Sequence, residues 1–126
     1  MPLSHAVAWI GHLDAHVIQF SAQQSTDERV KQRAHFTRQH GNQVRGQHEF
    51  FGEVCEVLVG IRSVLVVGHR EPQAAFRQYV SKHRPALALH IAGWETLDHP
   101  TEPEVLKLAR EFFVRQGAMV ATPRVP

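Results

Sequence analysis

The sequence predicts an α/β domain in which a mixed, five-stranded sheet is covered by helices, in the order β-β-β-α-β-α-β-α. Three observations predict it. Two β-rich stretches near the N-terminus are separated by a short turn-forming segment. A continuous apolar run lies mid-chain, and helical periodicity brackets it on both sides. At 126 residues, the chain suits one core and is too short for two. A composition of 43% apolar and 21% charged residues excludes a disordered or fibrous chain.

The elements follow in order. His5–Ile10 and Ala15–Phe20 are β-rich, and Gly11-His12-Leu13-Asp14 between them makes the pair a hairpin. From Arg29 to Phe36, Val30, Gln32, Ala34 and Phe36 alternate with Lys31, Arg33 and His35, as on a half-exposed edge strand. Thr37–Gln47 is polar, holds Gly41 and Gly46, and reads as an exposed, mobile loop. Phe50, Phe51, Val54, Cys55, Val57, Leu58 and Ile61 then give the apolar face of a helix from about His48 to Val59. Ser63–Val67 has the unbroken apolar character of a strand covered on both faces. Gly68–Pro72 turns into a second helix whose buried side is Phe76, Tyr79, Val80 and His83. Leu89–Trp94 is the last strand. Thr101-Glu102-Pro103-Glu104 opens a third helix as a capping box, with Val105, Leu108, Ala109 and Phe112 facing inward and Gly117 stopping it. Residues 1–116 form a single domain and 117–126 a loosely attached tail. The strand and helix order is that of ribonuclease H-like folds, with the last strands joined by right-handed crossovers.

The net charge is only +2, but its distribution is uneven. Arg29, Lys31, Arg33, Arg38 and Arg45 fall in an acid-free stretch that reaches His48, which leaves the rest of the chain at −3. Such segregation suits a local contact with a polyanion, and those five residues are the candidate RNA-binding set. A plain solvated basic loop is the alternative. No apolar stretch approaches the roughly 20 residues that span a bilayer, and the N-terminus has no basic leader region, so a cytoplasmic protein is expected.

Enzymatic machinery is hard to assemble from this inventory. Two-metal phosphodiester cleavage needs convergent carboxylates, yet residues 4–10 contain no acid, Asp14 lies in a turn and Glu49 starts a helix. The ten histidines are scattered without ligand spacing, so no metal site and no cofactor are expected. His35, His40 and His48 come nearest to a cluster, while His16, His83 and His90 read as packed or surface-facing. Cys55 is the lone cysteine and sits in an apolar helical pattern, as a small buried hydrophobe does. Gly68-His69-Arg70, between a strand and a helix, can receive an anion on its backbone N–H groups, or can be an ordinary βα turn. Glu95, Asp98 and His99 look like an acid/base group, but the adjacent capping box accounts for them structurally. No serine lies in a nucleophile elbow.

The whole pattern, over residues 4–115, resembles the middle domain of the eukaryotic and archaeal peptide-chain release factors. It also resembles the related small bacterial proteins called translational machinery proteins. The residues that carry the likeness are Ala6–Ile10 with Ala15–Ile18, the basic loop leading into Glu49–Val54, Val64–Gly68, and Gly93–Thr101. The resemblance implies a ribonuclease H-like variant shared with certain ribosomal proteins. The release factors carry a Gly-Gly-Gln tripeptide that promotes peptidyl-tRNA hydrolysis in the ribosome. Here the matching segment is Gly41-Asn42-Gln43, followed by Gly46, with Gln43 in the glutamine's place and Asn42 departing from the pattern. The implied function is that of a translation-associated, ribosome- or tRNA-binding protein without stop-codon reading, and more a binder than an enzyme. Two alternatives stand beside it: a non-catalytic interaction or homodimerisation module that pairs through the Val30–Phe36 edge strand, and peptidyl-tRNA hydrolysis through Gln43.

Overall fold

The computed structural model describes residues 5–12, 14–21, 24–31 and 41–117, with residues 41–45 described by their backbone alone. Nine elements follow one another: β1 (His5–Ile10), β2 (Asp14–Phe20), β3 (Ser25–Lys31), α1 (Gly41–Val57), β4 (Ser63–Gly68), α2 (Arg70–His83), α3 (Pro85–Ala88), β5 (Ile91–Thr96) and α4 (Glu102–Arg115). The five strands form one sheet in the order β3-β2-β1-β4-β5. β2 runs antiparallel to both β1 and β3, whereas β1, β4 and β5 are parallel. This is the mixed α/β architecture of the ribonuclease H-like order.

Strand periodicity divides the core into two layers, because successive side chains leave opposite faces. Ala6, Ala8, Ile10, Ala15, Val17, Val64 and Val66 face α1 and α2, where Phe50, Phe51, Val54, Leu58, Phe76 and Val80 cover them. Val7, Ile18, Phe20, Leu65 and Val67 face α4, through Val105, Ala109, Phe112 and Phe113. Phe20, Phe50, Phe76 and Phe113 are fully buried, and each such side chain contributes about 1.5–3 kcal/mol of transfer free energy. The alanines of β1 and β2 let α1 and α2 approach the sheet. On the other side Gly93 does the same for α4, since a Cβ there would lie 2.8 Å from Phe112 Cζ.

Several boundaries differ from expectation. β3 begins at Ser25 rather than Arg29. The Ser21 N–H donates to the Gln24 carbonyl at 2.8 Å and Ser25 pairs with Phe20, so the ladder forms although only Val30 of the strand is buried. The remainder of the expected edge strand, 32–36, lies outside the described residues. α1 starts at Gly41, so residues 41–47 are helical and not a loop. Gly46 is buried, and it extends the row Phe50, Val54, Leu58 by one turn at four-residue spacing. A glycine that reads as a breaker is here the small member of a packed stripe, and packing outweighs its weak propensity.

Farther along, Tyr79 is half-buried and His83 exposed. The inner face of α2 is completed instead by Pro72 and Gln73. Leu89 is 87% exposed; the short α3 intervenes and β5 starts at Ile91. The capping residue of α4 is as expected: the Thr101 hydroxyl accepts from the Glu104 N–H at 3.3 Å and donates to Glu104 Oε1 at 2.9 Å. Gly117, at φ 73°, follows the last turn, where the left-handed region suits glycine.

Candidate functional site

The antiparallel register writes a row of side chains across the α4 face of the sheet. Trp9 lies opposite His16, and His16 opposite Arg29. Asp27 is two residues from Arg29 on β3, hence on the same face and diagonal to His16, within side-chain reach. The β4–α2 turn adds His69, and the first residue of α4, Glu102, borders the same space. The result is a polar cleft of about 400 Å³ lined by Trp9, Asp14, His16, Arg29, His69 and Glu102. The Trp9 and His16 rings lie 5.6 Å apart between centroids. His16 Nε2 is 3.3 Å from Asp27 Oδ2, yet it is shielded from solvent and makes no aligned hydrogen bond.

The rim of this cleft is held in place from behind. Gly68 ends β4 at φ 148°, and a Cβ there would sit 2.3 Å from the Ile10 carbonyl oxygen. Only glycine lets the two strands close up at that point. The buried Gln73 donates through Nε2 to the Glu95 carbonyl at 3.1 Å and to Thr96 Oγ1 at 3.3 Å, tying α2 to the end of β5. His69 stacks edge-on against His99 at 5.0 Å, and His99 is the one non-glycine residue with positive φ (46°) among the described residues. Of Glu95, Asp98 and His99, which the sequence explains structurally beside the capping box, Asp98 and His99 form an exposed pair at 3.5 Å, and Glu95 is engaged through its backbone by Gln73.

A second grouping forms beside α1. The His48 ring lies 5.5 Å from both Tyr79 and His83, and Tyr79 lies 4.8 Å from His83. With Gln47 and Lys82 they border a cleft of about 260 Å³. A wider apolar groove of about 600 Å³ runs past Leu58, Ile61 and Leu87 and includes Cys55. Burial pushes the Cys55 thiol up to about 11, against the lesser pull of nearby Arg84, so the cysteine is a poor nucleophile. Arg84 is itself held protonated by its hydrogen bond to Glu56 Oε1, at 2.8 Å.

The candidate residues named from sequence are distributed over these features. Arg29 and Lys31 are exposed on β3, and their register opposite His16 and Asp14 puts them on the α4 side of the sheet. Gly41, Asn42, Gln43 and Arg45 occupy the first turns of α1, and Gly46, in the same helix, is buried. Arg33 and Arg38 lie outside the described residues. Gly68, His69 and Arg70 form the β4–α2 turn, with an acid, Glu71, in the first turn of the helix. The structure brings Arg29 and His69 into one cleft, which sequence distance gave no reason to expect. Sequence reading missed Asp27 and Glu102 as partners of His16. The Trp9–His16 pairing follows from the hairpin register, but Asp27 joins it only once β3 is known to start at Ser25.

No family model matches the chain, and no curated protein sequence matches it. Solved structures do. The Pelota protein of Thermoplasma acidophilum superposes with a TM-score of 0.59 at 11% identity, covering 87% of this chain and 31% of that one. Pelota from Archaeoglobus fulgidus gives 0.62 at 14% identity, covering 89% and 32%. The archaeal translation termination factor aRF1 gives 0.58 at 12% identity, covering 84% and 33%. The chain spans about a third of the length of each, and what it shares with them is the fold. Among the described residues no helix is long and apolar enough to cross a membrane.

Proposed function

We propose that this chain is a translation-associated protein that binds the ribosome or tRNA on a scaffold like the middle domain of release factors, without reading stop codons. The observation that carries the reading is the acid-free basic stretch from Arg29 to His48. Its described part begins on an exposed edge strand and ends in α1. The fold likeness to two Pelota proteins and to an archaeal termination factor supports the same direction. Cationic side chains on an open edge contact phosphates and supply affinity without sequence specificity. The binding role is preferred to peptidyl-tRNA hydrolysis because Gly41-Asn42-Gln43 begins a helix, where the backbone lacks the freedom of a loop. A cytoplasmic location follows from that role.

Co-sedimentation with ribosomes, and filter binding to tRNA, over a range of salt concentrations test it. Removing one cation that touches a phosphate lowers the salt slope by about 1, so Arg29→Ala with Lys31→Ala should lower it by about 2. Charge reversal at Arg38 and Arg45 should weaken binding further. Ribosome and tRNA binding unchanged in both variants would refute the assignment. A second reading has its own observation: β3 is an edge strand whose outer side pairs with no described strand. Concentration-dependent mass without retained RNA would favour homodimerisation through that edge, extending toward Val30–Phe36.

A further inference from the structure

His16, Asp27 and Glu102 come from three separate elements, β2, β3 and α4, yet one ligand atom from each lies within 4.8 Å of the other two. We infer that they form a binding site for a first-row divalent cation of the zinc type. The inference does not rest on the proposed RNA-binding role, although Arg29 borders both.

The donor set has the chemistry of such a site. An imidazole with two carboxylates favours zinc-like ions over calcium or magnesium, which take oxygen ligands almost exclusively. The two carboxylates balance a dication when the histidine is neutral. Geometry adds an argument independent of the acids. His16 is half-buried, with its side chain 12% exposed, and its Nε2 is shielded from solvent without a hydrogen-bond partner. A buried ring nitrogen left unpaired costs free energy. The Asp27 oxygen that could have paired with it is 3.3 Å away but out of line. That separation suits two ligands on one tetrahedral ion, since bonds of about 2.0–2.1 Å give an edge of about 3.3–3.4 Å. A metal would satisfy the nitrogen where the carboxylate alone does not. Asp27 and Glu102 are both exposed, so their side chains are free to rotate inward and close the gap between the 4.8 Å span of the cluster and a tetrahedral edge of about 3.4 Å. Three protein ligands leave a fourth position open toward the 400 Å³ cleft. Arg29, which lines the same cleft, opposes the ion by its charge and sets a ceiling on its affinity.

Zinc titration of the full chain by calorimetry tests the site, with Asp27→Asn and Glu102→Gln as surface variants that leave the core untouched. The expected result is one equivalent of Zn²⁺ bound by the parent protein, weakened at least about tenfold in each variant and strengthened in Arg29→Gln. Scattered surface histidines are discriminated by a proximity readout. In a Trp94→Phe background, Co²⁺ should quench Trp9, whose ring lies 5.6 Å from that of His16, and Glu102→Gln should shift the quenching to at least about tenfold higher Co²⁺. Zn²⁺ binding with equal affinity and stoichiometry in the parent, Asp27→Asn and Glu102→Gln proteins would overturn the proposal. So would the absence of any saturable equivalent, or Co²⁺ binding that leaves Trp9 emission unchanged.

Discussion

Replacing Gly68 by alanine should be among the most damaging small changes in this protein, and its cost can be separated into parts. Gly68 has φ 148°, a region that residues with a Cβ rarely adopt. Its close neighbour is backbone: an added Cβ would lie 2.3 Å from the Ile10 carbonyl oxygen and 3.3 Å from its carbon. Unlike a side-chain tip, that carbonyl cannot swing aside, because Ile10 and Gly68 are paired in the central β1–β4 ladder. Gly60 supplies the control, with φ 85° and nothing within 4 Å of a built Cβ. Gly60→Ala carries the left-handed penalty of about 1–2 kcal/mol, partly offset by about 0.4–1 kcal/mol of lost unfolded-state entropy. Gly68→Ala adds displacement of the ladder and should cost about 3 kcal/mol or more. For 126 residues, an unfolding entropy of about 0.26 kcal/mol/K puts its Tm about 11 °C lower, against about 6 °C or less for Gly60→Ala. Urea and thermal denaturation read both. Equal losses in the two variants would refute the close-approach argument, leaving backbone conformation as the whole effect.

Two other groups make defined predictions. Burial, with Arg62 nearby, holds the pKa of His5 below its ordinary value. The unfolded chain therefore binds a proton that the folded chain refuses, and stability should fall as pH drops below about 6.5, by at most about 1.4 kcal/mol per unit. His5 packs edge-on against Phe113 at 4.8 Å, so His5→Leu should flatten urea-denaturation midpoints between pH 7 and pH 5, and an unchanged slope would count against the assignment. Cys55, with its thiol near 11, should be only about 0.1% thiolate at pH 8. Labelling by a disulfide reagent should run at least about 100-fold slower in the native protein than in urea, and similar rates would contradict its burial.

Much of this molecule was legible from residue order alone, and the reason is local. β1, β2 and β4 carry patterns that a strand covered on one or both faces requires, and the Thr101 cap announces α4 by its own hydrogen bonds. Two patterns misled for a physical reason. Ser25–Glu28 is polar and exposed, so its strand character comes from the ladder with β2 and leaves no hydrophobic trace. Gly46 looks like a breaker, yet it lies within α1 and is buried.

The charge segregation around Arg29–Arg45 and the class of fold were settled by sequence, since charge is counted along the chain and hydrophobic periodicity expresses local geometry. Which residues share a surface was decided only in three dimensions. His16 and Asp27 sit on neighbouring strands while Glu102 is far along the chain, and their meeting depends on strand register and on where α4 begins over the sheet. A shift of β3 by one residue would turn Asp27 to the opposite face and dissolve the cluster. Register is set by turn geometry and by packing on both faces, and that cooperative outcome no local pattern spells out.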